Sequence, residues 1–140
     1  MSEENRGIAR RAFEEVYGNR NPDAADEIYA PDFVDHDPGT PEEMRRGPDG
    51  VKQQAAMYGV AFPDIQMAVE EQVAEGDRVV TRWSAQGTHE GELMGVPASG
   101  KQVTVSGITI ARLADGKIQE EWSNWDGLGL MEQIGAMPGE

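Results

Sequence analysis

The stretch "EEWSNWD", residues 120–126, sets two tryptophans beside a carboxylate in a chain that has three tryptophans in all. A carboxylate in an apolar cavity has its charged form disfavoured, so its pKa rises toward the strength of a useful base. On an extended strand, Glu120, Trp122, Asn124 and Asp126 share one face, and Lys117, Gln119, Glu121, Ser123 and Trp125 share the other. The first face aligns an indole with the terminal carboxylate. It makes Asp126 the candidate acid/base, with Trp122 and Asn124 as candidate substrate contacts. Asp126 also stands directly before a helical stretch, where aspartate is among the best N-caps. The residues alone leave both readings of Asp126 open.

The two histidines, His36 in "DHDPG" and His89 in "GTHEG", lie in turn-like contexts among acids. A histidine lining a cavity could donate to a substrate oxygen or serve as a second acid/base. No ligand spacing of the His-x-x-x-His kind accompanies either one, so a metal is not expected. Arg82, in "VVTRWSA", lies mid-strand among apolar and small residues. A buried arginine there needs a carboxylate, with Glu120 or Glu121 as candidates, and substrate orientation is its second possible role. Tyr58, on the apolar side of a helix, is a further candidate for substrate contact. A G-x-S-x-G elbow and a phosphate loop are both absent.

These side chains must be positioned by a definite order of elements. Residues 5–17 place Ile8, Ala9, Ala12, Phe13, Val16 and Tyr17 at helical spacing. "NPDAADEIYAP" predicts a short second helix, with Asn21 as cap and Pro22 at the first helical position. "DFVDHDPG" predicts an extended piece closed by Pro38-Gly39, and a third helix runs from about Pro48 to Pro63. Beyond Pro63, alternation takes over in "DIQMAVEEQV", "RVVTRWSAQGTHE", "QVTVSGITIARL" and the segment from Lys117 to Trp125. Asp115-Gly116 is a strong two-residue hairpin signal. The apolar phase in the third of these strands slips from Val103 and Val105 to Ile108 and Ile110, which predicts a β-bulge at Gly107. "GLGLMEQIG" predicts a short terminal helix. Helices first and then four antiparallel strands describe an α+β domain, taken as one unit over 1–140, with a curved sheet closing on the helices.

The formal net charge is −14, from 26 acidic and 12 basic residues. Nucleic acid is a poor partner for such a chain, because its binding depends on Lys and Arg neutralising phosphates. No apolar run approaches the ~20 residues of a membrane span, and there are no cysteines, so a cytoplasmic protein is expected. An acidic, Lys-poor surface also predicts stabilisation by salt, through screening of self-repulsion. A melting temperature unmoved between low salt and molar KCl would remove that expectation.

Three blocks together resemble the SnoaL-like polyketide cyclases, or ester cyclases, of the nuclear transport factor 2-like fold. They are "YAPDFVDHDPG", "AFPDIQMAVEEQVAEGDRVVTRWSAQGTHEGELMGVPASGKQV" and "ADGKIQEEWSNWDGLGLMEQIG". The resemblance implies a cone-shaped α+β barrel, with N-terminal helices packed in a strongly curved, mostly antiparallel sheet. It implies intramolecular aldol chemistry, or a related enolisation, on a small apolar carbonyl compound without metal or organic cofactor. The motif W-x-x-x-D then carries the acid/base role onto Asp126, with Trp122 as a wall and His36 as a possible partner in catalysis. An epoxide hydrolase on the same cone would favour an Asp-Arg-Asp relay, and no Asp follows Arg82 two positions later. A non-catalytic pocket or dimerisation module is the other reading. The exposed sheet face predicts a homodimer, or a tetramer built from it.

Overall fold

The computed structural model describes residues 2–18 and 21–136. The chain opens with α1 (Ser2–Arg11), which runs on into a π-helical turn over Ala12–Gly18. The wider turn presents Phe13 and Tyr17 toward the sheet, and π turns inserted in α-helices often mark functional sites. A 3-10 turn, Pro22–Ala24, leads into the single helical turn α2 (Ala25–Ile28). Asn21 precedes that turn as expected, but its side chain makes no capping bond. Strand β1 (Tyr29–Asp35) follows, then a 3-10 turn over Glu42–Met44 and helix α3 (Gly47–Ala61). The rest is the meander β2 (Gln66–Glu75), β3 (Arg78–Thr88), β4 (Gln102–Ala114) and β5 (Lys117–Trp125), closed by α4 (Gly127–Gln133).

The sheet has five strands in the order β1-β5-β4-β3-β2. Four are antiparallel in sequence order, and β1 adds in parallel against β5, with Asp35 opposite Glu121. The extended piece expected from "DFVDHDPG" is thus a full edge strand. Asp115 and Gly116 adopt φ of 55° and 75°, the left-handed pair that a two-residue hairpin turn requires. The helices cover one face of the sheet. There Ala9, Ala12, Val16, Ile28, Phe33, Val51, Val79, Leu113 and Ile118 form the main core.

The expected bulge at Gly107 is absent. Pairing of β3 with β4 runs without interruption from Arg78↔Arg112 to Thr88↔Gln102. Odd-numbered residues of β4 face inward along its whole length, so Ile108 and Ile110 simply face out. Gly107 is there for space, since a Cβ would sit 2.5 Å from Trp125 Cβ and 2.6 Å from Trp83 Cζ2. The register instead shifts between Val69 and Glu71 in β2, and between Arg112 and Leu113 where β4 meets β5. The second shift decides which side chains reach the interior. Leu113 opposes Ile118 and Arg112 opposes Glu120, so β5 holds an extra residue between them. Ile118 points into the core, and beyond the bulge the inward set becomes Glu121, Ser123 and Trp125.

Candidate functional site

Between the helices and the concave face of the sheet lies a cavity of about 130 Å³. One water needs only ~10–15 Å³ of such space, so the cavity is large enough for more than a buried solvent molecule. Phe13 and Tyr17 reach it from the π turn, Gln54 and Tyr58 from α3, and Trp83, Trp125 and Leu130 from the far wall. Three carboxylates face this aromatic space: Asp35, Asp37 and Glu121. Among the described residues that line it there is no Arg, Lys or His.

The local sequence explains how the acids arrive there. Asp35 and Asp37 flank His36, so a backbone that turns the histidine outward turns both acids inward. Asp35 is 7% exposed and accepts from the Asp37 backbone N–H (2.8 Å), Thr40 Oγ1 (3.2 Å) and Gln54 Nε2 (3.2 Å). Burial pushes its carboxyl up, and these donors pull against the shift. Asp37 accepts from the Gly39 N–H and from the indole N–H of Trp125, at 2.8 and 3.2 Å. That bond fixes the Trp125 ring, which meets Tyr58 edge-on at 6.3 Å.

Glu121 has no hydrogen-bond partner for its carboxyl group among the described residues. Burial, with Asp35 adding like-charge repulsion, pushes its carboxyl up to about 8. A carboxyl group at that value exchanges protons near neutrality, as a positioned general base should. Tyr58 is pushed up to about 12, by burial and then by Asp37 and Asp35, so its hydroxyl stays protonated as a donor. Tyr17 and Tyr29 are likewise raised by burial. Beside Glu121 on the same face of the sheet, Trp83 Nε1–H donates to Thr109 Oγ1 at 3.0 Å, and Thr109 Oγ1 lies 2.8 Å from Ser123 Oγ.

Of the candidate catalytic and substrate-contact residues named from the sequence, Tyr58 alone lines this cavity. Asp126 is exposed at the start of α4, where its Oδ1 accepts from the Gly129 N–H at 2.8 Å. It borders a shallow depression on the outer face, together with Arg82 and Asn124. The cap expected of Asp126 is therefore formed, and its carboxylate does not line the cavity. Trp122 is also on the outer face, stacked under His36 at 5.0 Å with Arg78 on its ring at 5.1 Å. His36 is exposed and bonds Glu120 Oε2 at 2.8 Å, which removes it from the cavity. Arg82 is half-exposed and pairs with Glu71 on the neighbouring strand at 2.6 Å, with neither Glu120 nor Glu121 as partner. The inward phase of β5 expected for Trp122, Asn124 and Asp126 is reversed by the bulge before Glu120.

His89 is fully buried rather than on a rim. Its Nδ1 accepts from the Ser99 N–H at 3.2 Å and lies 2.9 Å from Ser99 Oγ, which ties down the loop between β3 and β4. The ring packs against Phe62, one of the cavity residues, at 5.6 Å. Among the described residues no group of three or more His, Asp or Glu side chains is arranged to hold a metal ion. No described helix is long and apolar enough to cross a membrane.

Comparison with known proteins matches residues 7–134 to the family model described as SnoaL-like polyketide cyclase. The aklanonic acid methyl ester cyclase DnrD of Streptomyces peucetius is 29% identical over 133 residues, covering 91% of this chain and 88% of its own. The corresponding DauD of Streptomyces sp. strain C5 is also 29% identical, with 91% and 80% covered. Among solved structures, TsrD from Streptomyces laurentii superposes with a TM-score of 0.87 at 26% identity, covering 98% of both chains. A candidate polyketide cyclase from Acidithiobacillus ferrooxidans gives 0.84 at 32% identity, covering 96% of both.

Proposed function

This chain belongs to the SnoaL-like polyketide cyclases, and from that premise we propose that it closes a ring by aldol chemistry with Glu121 as the acid/base. The observation that carries the reading is a carboxyl group raised to about 8, facing an aromatic cavity, on the inward side of the last strand. In its ionised form Glu121 removes a proton from a carbon flanked by carbonyls. The C–H electron pair moves into an enolate, and the enolate carbon attacks a second carbonyl of the same molecule. The new C–C bond leaves an alkoxide, which takes the proton back from Glu121. Each proton moves between substrate and side chain, and nothing is oxidised or reduced. Tyr58 and the indole of Trp125 hold the flat substrate.

The lining also argues for a substrate without a free carboxylate. Three acids, with no cation among the described lining residues, would repel an anion in a space of low dielectric constant. A carbonyl compound with its acid blocked as an ester suits the site, as in the methyl ester named for the two Streptomyces relatives. Aklanonic acid methyl ester is accordingly the first compound to assay, beside its free acid. Glu121→Gln should remain folded and lose roughly 10²–10⁴-fold in turnover of the ester that the wild type converts, the usual worth of a positioned base. A Gln variant with wild-type turnover overturns the assignment.

The outer face of the sheet supports a homodimer. Val73, Val80, Ile110 and Trp122 lie side by side across β2 to β5, and Val73 and Ile108 are 62% and 49% exposed. Arg78, Arg82, Glu71 and Glu120 surround that row with both signs of charge. Such a rim can pair with itself across a two-fold axis.

A further inference from the structure

We propose that Ser123 is a catalytic hydrogen-bond donor to the enolate oxygen, aligned by a relay from Trp83 through Thr109; this rests on Glu121 being the base. The direction of the relay follows from the chemistry of its members. An indole N–H can only donate, so Thr109 Oγ1 accepts at 3.0 Å. Thr109 is 4% exposed, and its hydroxyl has one other partner among the described residues, Ser123 Oγ at 2.8 Å. A buried hydroxyl hydrogen finds an acceptor wherever one is in reach, so Thr109 donates to Ser123. The hydrogen of Ser123 is then left free. Ser123 is half-buried and lines the cavity, so that hydrogen is available to a ligand oxygen there. Each bond also polarises the next, which makes the terminal hydroxyl a better donor than an isolated serine.

The position suits the step. Glu121 and Ser123 are alternate residues on one face of β5, roughly 6.5–7 Å apart along the strand. A carbonyl whose oxygen meets Ser123 can present its α-carbon to Glu121 across that gap. As the C–H bond breaks, its electron pair forms the enolate double bond and the carbonyl π pair moves onto oxygen. The Ser123 hydrogen bond strengthens as that charge develops. Gly107 keeps the arrangement possible, since any side chain there would displace Trp83 and Trp125.

The test uses 2-tetralone, an apolar bicyclic ketone, and follows deuterium uptake at its α-carbon in D₂O by NMR. Ser123→Ala should lose roughly 10²-fold in kcat for exchange, with little change in KM. Thr109→Val removes the link and should lose part of that rate, and Thr109→Ser should restore it. In the Ser123→Ala background, Thr109→Val should have no further effect. The carbonyl stretch of bound 2-tetralone should move to higher frequency in Ser123→Ala, a change that a folding defect elsewhere would not give. If Glu121→Gln abolishes exchange while Ser123→Ala retains it, the relay is wrong and the base stands. If the wild type gives no exchange above buffer, or Glu121→Gln keeps it, the base assignment falls and the relay falls with it.

Discussion

Glu120 and Glu121 are neighbours in the chain, and their surroundings drive their carboxyl groups in opposite directions. Glu120 lies on the outer face, where Arg112 at 2.7 Å, and then His36 at 2.8 Å, hold it below the ordinary glutamate value. Glu121 lies on the inner face, where burial and then the Asp35 charge push it up to about 8. The same contrast runs along the strand. Trp125 forms a cavity wall, whereas Trp122 is sandwiched outside between His36 and Arg78. Chemistry in this molecule therefore follows the face of the sheet, and a one-residue bulge decides which face a side chain joins.

The largest expected difference between the faces is in stability against pH. A glutamate with an ordinary value of 4.5 and a folded value near 8 keeps its proton in the fold after the unfolded chain has released it. Between those two values the unfolded state binds fewer protons, so stability falls as pH rises and levels off above 8. Glu121→Gln removes that loss and should gain about 2–5 kcal/mol over wild type at pH 9, the lower end allowing for water in the cavity. Glu120 has the opposite sign. Its pairing contributes above the ordinary value and is lost as pH falls through the lowered one. Glu120→Gln should change stability at pH 7 by ~0–1 kcal/mol and leave turnover intact, since its partners are surface groups. Matching melting curves for the two Gln variants across pH 4–9 would erase the contrast.

A second effect concerns association. If the apolar row on the outer face is the dimer interface, Ile110→Asp should give monomers by light scattering at micromolar protein while the cavity side stays intact. A wild type that is itself monomeric would end that proposal.

The smallest effect is the most informative about the end of the strand. Asn caps a helix about as well as Asp, whereas Ala at a cap costs ~1 kcal/mol. Asp126→Asn should leave both melting temperature and turnover near wild type, and Asp126→Ala should lose stability alone. A 10²-fold fall in turnover for the folded Asn variant would move the base back to Asp126.

Much of the scaffold was legible from local signals. The Asp115-Gly116 turn, the helix limits near Pro22, Pro48 and Pro63, and the α+β order all rest on backbone chemistry within a few residues. The SnoaL-like resemblance placed the fold correctly. The site was less legible because it depends on long-range register. Ile118 and Trp122 share a phase in sequence, and only the pairing with β4 shows that they face opposite ways. Gly107 looked like a bulge because outward isoleucines mimic a phase slip, when two tryptophans were the reason for the glycine. Asp35 and Asp37 carried a usable signal, since acids on both sides of an outward histidine must point in. Nothing in "EEWSN" distinguishes its two glutamates until β1 brings Asp35 beside the second.

The central claim is that Glu121 exchanges its proton near neutrality inside the cavity. Carbon-13 NMR of glutamate-labelled protein, titrated from pH 3 to 10 and assigned by the resonance missing in Glu121→Gln, measures this without any substrate. The account predicts a carboxyl midpoint at about 8 for Glu121, well separated from that of Glu120. A Glu121 midpoint at the ordinary 4.5 would contradict it.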